Sequence, residues 1–208
     1  MGQALPRFFK AGVVVINRAV GGRSSKSFMT EGRLDEINRD LQPGDYLFIQ
    51  FGHNDSKPEP ERRTDPFTTY QDCLNQYITV ARQKQAFPVL LTPVQRRNFS
   101  ENGRLRETHG DYPTAMRELA RMESIPLIDL TKETTVLLEK LGDIESKKLF
   151  MWVEPGASKN YPDGLQDNTH FNEQGAEEIA RVVCKCLRTM KLPLADYLIF
   201  PIKEGGIG

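Results

Sequence analysis

An aspartate and a histidine stand three residues apart just ahead of a helical pattern. Asp167 and His170 lie in the segment YPDGLQDNTHFNEQGAEEIA, residues 161–180. When a serine attacks an acyl group, a histidine takes the serine proton and an aspartate fixes the tautomer of that histidine. The spacing can bring both side chains to one side of a turn, so it allows a local pair. The alternative is structural, since a histidine here can simply cap the helix or pack against it.

Two further polar segments each follow an apolar run. In FGHND, residues 51–55, the side-chain amide of Asn54 could donate to a developing oxyanion, although such residues also favour plain turns. In AVGGRSSKSF, residues 19–28, the main-chain N–H of Gly22 could do the same, because a residue without Cβ lets a substrate approach closely. A tight turn is the alternative there. With three histidines and no further ligand cluster, a metal site is disfavoured.

Short apolar runs alternate with amphipathic helical patterns along the chain. This alternation is typical of an α/β three-layer sandwich with a parallel sheet. The strands are predicted at 11–20, 43–52, 87–94 and 126–130. Helices are predicted at 30–41, 66–86, 111–125 and 131–142, and from near Asn172 onwards. Thr30 is the predicted N-cap of the first of them. Three polar or irregular segments should gather at the sheet edge where ligands bind: 53–65, 95–110 and 151–170.

Composition limits the class of protein. A chain of 208 residues with 38% hydrophobic content predicts one domain, residues 1–208. Lys and Arg together equal Asp and Glu at 28 each, so the charge balance argues against nucleic acid as a partner. The apolar runs are too short to span a membrane, and we find no signal-peptide pattern. An odd number of cysteines, three, favours reduced thiols and a cytoplasmic location, with oligomerisation left open.

Three segments that follow one another in this order indicate a protein family far more specifically than any one of them alone. They are NRAVGGRSSKSF, FIQFGHND and DNTHFNEQGA. They resemble blocks II, III and V of the SGNH (GDSL-type) hydrolases, from about residue 2 to about residue 200. GGRSSKSF followed by EGRL, together with GHND, resembles the rhamnogalacturonan acetylesterases. Those are flavodoxin-like α/β carbohydrate esterases that remove acetyl groups from pectic rhamnogalacturonan, and the resemblance implies the same reaction by Ser-His-Asp acyl transfer.

The resemblance implies roles for four residues. Gly22, through its main chain, and Asn54, through its side chain, would donate to the oxyanion. His170 would be the general base and Asp167 its orienting carboxylate. His53 belongs to the motif without matching a catalytic role, so we interpret it as structural. No metal or organic cofactor is implied.

The implied substrate is an acetylated acidic oligosaccharide. Its carboxylates could be contacted by basic residues that flank the motif segments. These basic residues are Arg23, Lys26, Arg62, Arg63, Arg96 and Arg97. For each of them the alternative is that it is a solvated surface charge without contact to substrate.

The sequence departs from the family in one large respect, because no Gly-Asp-Ser occurs in it. In the family that first block follows the first strand and supplies the nucleophilic serine. One interpretation is that the chain is N-terminally truncated relative to the family and lacks the usual first strand. The strand-like C-terminal segment DYLIFPIK, residues 196–203, or a partner chain could then take that strand's place.

Other interpretations remain. A serine of GRSSKS, namely Ser24, Ser25 or Ser27, could have taken over as nucleophile. The chain could be a non-catalytic sugar-binding remnant. It could also be a broader GDSL esterase or thioesterase, which would need an apolar acyl groove.

Overall fold

The computed structural model describes residues 1–199 and divides into two compact units. The first unit comprises residues 1–17, 95–108 and the chain from residue 132 onwards. The second unit comprises residues 18–94 and 109–131. The chain therefore passes between the units more than once, and the single domain expected from the sequence stays a prediction.

The second unit is built on a parallel sheet. Its elements in chain order are α1 (Ser25–Thr30), α2 (Arg33–Asp40), β1 (Tyr46–Gln50), α3 (Gln71–Gln83), β2 (Phe87–Leu91), α4 (Tyr112–Met122) and β3 (Leu127–Ile128). The strand order is β1-β2-β3, and both pairings are parallel. The α/β class with a parallel sheet is thus confirmed. Three of the four predicted strands form, at 43–52, 87–94 and 126–130.

Helical spacing places apolar side chains on the core side of α3 and α4. Leu74, Tyr77 and Ile78 of α3 are buried, as are Met116 and Leu119 of α4, all in one cluster. Pro113 lies in the first turn of α4, where its missing N–H costs no hydrogen bond. These helical faces agree with the sequence pattern.

The helix predicted at 30–41 begins later than expected, whereas the helix predicted at 66–86 begins at residue 66. Thr30 does not cap a helix at 30–41, because it is the last residue of α1. α2 begins after Gly32, which adopts a left-handed φ of 76° and breaks the helical path. The helix predicted from residue 66 opens with a π-helical turn, Pro66–Tyr70, before α3 begins.

The strand predicted at 11–20 does not form. Within residues 1–199 no strand pairs with this segment, and Val14 and Ile16 are 81% and 64% exposed. A strand needs a neighbour to satisfy its backbone N–H and C=O groups, so a β-branched run without one stays irregular. β1 is an edge strand of its own sheet. Ile49 is its one buried residue, although the sequence predicted burial on both faces.

The first unit contains a β-hairpin that sequence reasoning missed. Its regular elements are α5 (Leu130–Ser146, most of which lies in this unit), β4 (Phe150–Val153), β5 (Leu165–Phe171) and α6 (Glu173–Thr189). β4 and β5 pair antiparallel, with Trp152 opposite Gln166. The prediction that residues 151–170 are irregular is therefore wrong for 151–153 and 165–170, whereas 154–164 belong to no strand or helix. β5 reads LQDNTHF and has no apolar alternation to reveal it.

The helix that follows β5 begins where the sequence predicted. The side chain of Asn172 caps α6 by accepting the N–H of Gly175 at 2.9 Å. Ile179, Val183 and Leu187 lie on its buried face. At the C-terminal end, Leu198 forms an isolated antiparallel bridge with Phe9. Residues 200–203 of the C-terminal segment lie outside the described residues.

Gly175 lies where no side chain fits. A Cβ there would overlap the carbonyl oxygen of Leu149 and lie 2.8 Å from the ring of Phe171. Because a backbone oxygen cannot move aside cheaply, we expect Gly175→Ala to lower the free energy of unfolding by about 1–3 kcal/mol. Urea unfolding measures this. Gly21→Ala, where a Cβ meets no atom within 4 Å, is the matched control. Equal stability of Gly175→Ala and wild type would contradict this packing.

Within residues 1–199 no helix is both long enough and apolar enough to cross a bilayer. All three cysteines lie in the described part of the chain. They are free thiols, as the sequence predicted.

Candidate active site

Asp167 and His170 form the local pair that their spacing allowed. Oδ2 of Asp167 lies 2.6 Å from Nδ1 of His170. Oδ1 of Asp167 accepts the main-chain N–H of Thr169 at 2.6 Å and of His170 at 3.0 Å. One carboxylate therefore closes the turn and holds the imidazole at the same time. Both residues belong to β5, which gives them a fixed frame.

The electrostatics of Asp167 decide which nitrogen of His170 carries the proton. Partial burial raises the pKa of Asp167, but hydrogen bonds from the N–H and ring of His170 and from Thr169 outweigh it, so the pKa is lowered. An ionised carboxylate only accepts hydrogen bonds, so Nδ1 of His170 must donate. Nε2 is then the nitrogen that can accept a proton. The side chain of His170 is 75% exposed, which leaves the ring accessible.

Gly22 and Asn54 lie in adjoining loops of the second unit. Nδ2 of Asn54 donates to the carbonyl oxygen of Arg23 at 3.2 Å, next to Gly22. Gly22 has a φ of 80°, a left-handed conformation that glycine adopts without strain. The amide of Asn54 has two hydrogens, so one stays available for another acceptor. The structure brings these two predicted residues together.

Asp55 ties these two loops to each other, and sequence reasoning missed it. Its side chain is fully buried. Oδ1 accepts the N–H of Ser25 at 3.0 Å, as well as the hydroxyl groups of Ser25 and Thr64. Oδ2 accepts the N–H of Gly52 at 2.9 Å. Because Ser25 follows the Gly22 loop and Gly52 precedes Asn54, this carboxylate sets the distance between the two. The sequence feature that could have pointed to Asp55 is its position as the last residue of FGHND.

The buried state of Asp55 predicts a dependence of stability on pH. Burial raises the pKa of Asp55, and hydrogen bonds from Ser25, Gly52 and Thr64 only partly oppose that rise. A carboxyl with a raised folded-state pKa contributes most stability below its unfolded pKa, about 3.9, and loses it as pH rises through the folded value. The side chain introduced by Asp55→Asn does not ionise, so the variant does not lose stability in this way as pH rises. We therefore expect its free energy of unfolding to improve relative to wild type as pH rises to neutral. Parallel stability curves from urea unfolding across pH would contradict this.

The serines of GRSSKS are unsuited to nucleophilic attack. Ser24 and Ser25 are fully buried and Ser27 nearly so. Ser24 and Ser27 cap α1 reciprocally, each side chain bonding the other's backbone N–H. The hydroxyl of Ser25 donates to Asp55. The structure therefore contradicts the alternative in which one of them serves as the nucleophile.

His53 pairs with a second histidine. Its Nδ1 lies 3.2 Å from Nε2 of His109, with the two rings nearly perpendicular. His109 is buried beneath the surface. This contact supports the structural interpretation of His53. Among residues 1–199 no group of three or more His, Cys, Asp or Glu side chains is arranged to hold a metal ion.

Comparison with known proteins adds a family and several relatives. Residues 1–178 match the GDSL-like Lipase/Acylhydrolase family. The rhamnogalacturonan acetylesterase RhgT of Bacillus subtilis is 50% identical over 198 residues, which cover 95% of this chain and 84% of RhgT. YesY of the same organism, named "Probable rhamnogalacturonan acetylesterase", is 43% identical over 95% of this chain and 87% of its own.

A solved structure supports the fold. The crystal structure of YxiM from Bacillus subtilis matches with a TM-score of 0.78 at 25% identity. It covers 92% of this chain, and this chain spans half of YxiM. The α/β fold with a parallel sheet is therefore shared with a solved relative.

Proposed function

Because the chain belongs to the GDSL-like lipase/acylhydrolase family, and is thus by family a carboxylic ester hydrolase, we propose that it removes acetyl groups from rhamnogalacturonan-type pectic oligosaccharides. The observation that carries the chemistry is the ionised Asp167 that orients an exposed His170. The substrate class follows from RhgT, which is named for this activity and is half identical to this chain.

The proposed reaction is a two-step acyl transfer. Nε2 of His170 takes the proton of a serine hydroxyl, and the serine oxygen attacks the acetyl carbonyl carbon. The main-chain N–H of Gly22 and the amide of Asn54 donate to the oxyanion that forms. The sugar oxygen leaves with the proton held by His170. Water, deprotonated by His170, then releases acetate from the acyl-serine. The reaction as proposed uses no metal or organic cofactor.

The serine of this reaction is the part that the 208 residues do not supply. They contain no Gly-Asp-Ser, and the hydroxyls of GRSSKS are buried. We propose that these residues provide the base and the oxyanion donors, and that turnover requires the serine of the family's first block. The activity of the 208 residues alone is then impaired. We call the protein in which a segment carrying the Gly-Asp-Ser block precedes Met1 of these 208 residues the joined protein.

Binding of an acidic sugar needs a cation that is not already paired. Five of the six basic residues near the motif segments have partners inside the protein. Arg23 pairs with Glu31, Lys26 donates to the carbonyl of Pro60, Arg62 pairs with Glu59, Arg96 donates to Thr108 and Arg97 is buried. The side chain of Arg63 is exposed and makes no ion pair within residues 1–199. We propose that Arg63 contacts a galacturonate carboxylate.

Replacing Arg63 tests this contact. An exposed ion pair contributes up to about 1 kcal/mol, so we expect Arg63→Ala in the joined protein to raise KM for acetylated acidic oligosaccharides up to about fivefold. Hydrolysis of p-nitrophenyl acetate, which has no carboxylate, should not change. Arg62→Ala is the matched control, since that side chain is occupied by Glu59. An unchanged KM for Arg63→Ala would remove it from the substrate site.

The substrate itself is tested by measuring acetate release. The joined protein should release acetate from acetylated rhamnogalacturonan oligosaccharides faster than it hydrolyses p-nitrophenyl esters of longer fatty acids. A preference for long acyl chains would favour the broader esterase or thioesterase. Binding of the oligosaccharides without acetate release would favour the non-catalytic sugar-binding protein.

A further inference from the structure

Arg97 is a nearly buried guanidinium group, 6% exposed, in the first unit. It does not reach out to a substrate, because its donors are engaged within the protein. Nε donates to Oγ of Ser146 at 3.1 Å, and Nη2 donates to the carbonyl and carboxylate oxygens of Asp143. Nη1 donates to Oδ1 of Asn168 at 2.7 Å. The planar fork of an arginine suits such a set of fixed acceptors.

Asn168, the residue after Asp167, is held at both of its oxygen atoms. Its main-chain carbonyl accepts the backbone N–H of Arg97 at 2.8 Å. Its Oδ1 accepts Nη1 of Arg97 and, at 3.0 Å, the indole Nε1–H of Trp152. The guanidinium carbon of Arg97 also lies 5.1 Å from the ring centroid of Trp152. Arg97 and Trp152 together thus fix the orientation of Asn168.

The orientation of Asn168 determines that of the next N–H group. The carbonyl of Asn168 and the N–H of Thr169 belong to one planar trans peptide, so they point in opposite directions. The backbone N–H of Arg97 holds this carbonyl, so the N–H of Thr169 points away from Arg97 and donates to Oδ1 of Asp167 at 2.6 Å. The same Oδ1 accepts the N–H of His170. The carboxylate is in this way turned so that Oδ2 meets Nδ1 of His170. The side-chain bond from Nη1 of Arg97 to Oδ1 of Asn168 is a second contact on the same residue, and it is the one that a side-chain substitution removes.

We propose that Arg97 is a positioning residue which, through Asn168, holds Asp167 against His170 and keeps the imidazole in its Nδ1–H tautomer. This inference rests on the proposed function for its catalytic meaning. That tautomer leaves Nε2 as the proton acceptor, as the general base requires. Arg97 touches no reacting atom in this scheme and acts only through the turn at residues 167–170.

The tautomer can be measured without substrate, on the 208-residue chain itself. Long-range ¹H–¹⁵N spectra of imidazole rings, recorded at alkaline pH where the rings are neutral, distinguish Nδ1–H from Nε2–H. The chain has three histidines, and His170→Gln identifies the signals of His170 by their loss. Wild type should show His170 in the Nδ1–H form.

Two matched substitutions test the role of Asn168. Asn168→Ala removes the acceptor of Arg97 Nη1 and should shift His170 toward the Nε2–H form, which an unconstrained imidazole favours. Asn168→Asp keeps an acceptor oxygen at the same place and should retain the Nδ1–H form. Arg97→Lys keeps the charge but not the fork, so it should shift the tautomer as Asn168→Ala does. Arg104→Lys, in an exposed ion pair with Glu139, is the control that should change nothing.

A retained Nδ1–H form in Asn168→Ala would overturn the proposal. If Arg97→Lys does not fold, Asn168→Ala is compared with Trp152→Phe, which removes the other donor to Oδ1 of Asn168 and should keep the Nδ1–H form. Asn168→Ala itself leaves the bonds of Arg97 to Asp143 and Ser146 in place. Circular dichroism checks that each variant is folded. The readout needs no turnover. A tautomer that responds as expected, together with a joined protein that releases no acetate, would count against the proposed function and leave the role of Arg97 intact.

Discussion

Replacing His170 with alanine in the joined protein is expected to lower kcat for acetyl ester hydrolysis by more than about 10³-fold. His170 is the one group in the proposed reaction that both takes the serine proton and returns it to the leaving sugar. Its loss removes nucleophile activation and leaving-group protonation together. Acetate release from acetylated oligosaccharides, followed at saturating substrate, measures the effect.

The fold should tolerate this substitution. The ring of His170 is largely exposed, and among residues 1–199 its side chain is hydrogen-bonded only to Asp167, so little core packing is lost. Lys159→Ala, at an exposed position in the loop between β4 and β5, is a control that should keep full activity. A His170→Ala protein that retains a tenth or more of wild-type kcat, on the order of one decade lost instead of three, would remove His170 as the base.

Asn54→Ala in the joined protein is expected to lower kcat by about 10²–10³-fold with a small change in KM. A donor aimed at an oxyanion stabilises the transition state more than the bound ester, so its loss appears in kcat. Within residues 1–199 the side chain of Asn54 makes one hydrogen bond, from Nδ2 to the carbonyl of Arg23, which leaves the second amide hydrogen for the oxyanion.

The stability of the loop should depend on Asp55 and not on Asn54. Thermal unfolding of Asn54→Ala should resemble that of wild type, because the four hydrogen bonds to Asp55 remain. Asn160→Ala, at an exposed asparagine, is the matched control for activity. An increase in KM at unchanged kcat would assign Asn54 to substrate binding and contradict its role as an oxyanion donor.

The helices could be predicted from sequence because their signals are local. The apolar spacing in α3 and α4 reports directly which face is buried, and Asn172 marks the start of α6. Strands are different, because they depend on a neighbour. The β-branched run at 11–20 has the composition of a strand, yet no strand within residues 1–199 pairs with it. The polar strand β5 forms because β4 lies beside it.

The residues of the candidate site also fall into two groups, those predictable from local spacing and those that depend on distant partners. Asp167 and His170 are close in sequence, so their pairing could be anticipated from spacing. The roles of Asp55 and Arg97 depend on partners 30 and 71 residues away, Ser25 and Asn168, and no periodic pattern reveals such contacts. Arg97 illustrates the error that results. Its sequence position places it among surface cations, whereas the structure shows it nearly buried.

Asp167 and Asp55 have pKa values shifted in opposite directions, and we assign them different roles. Hydrogen bonds lower the pKa of Asp167, although its partial burial opposes them, so it is ionised and can orient an imidazole. Burial raises the pKa of Asp55, which serves as an internal acceptor for loop N–H and hydroxyl groups. The difference follows from solvent access, because Asp55 is fully buried and Asp167 only partly, although Asp55 meets four donors and Asp167 three.

The central claim is that these 208 residues supply the base and oxyanion donors to a serine that they do not contain. Its most direct measurement compares acetate release from acetylated rhamnogalacturonan oligosaccharides by three proteins. They are the 208 residues alone, the joined protein, and the joined protein with its Gly-Asp-Ser serine changed to alanine. We predict sustained turnover by the joined protein and background rates for the other two. Sustained turnover by the 208 residues alone, abolished by His170→Ala, would contradict the claim, because the nucleophile would then lie within them.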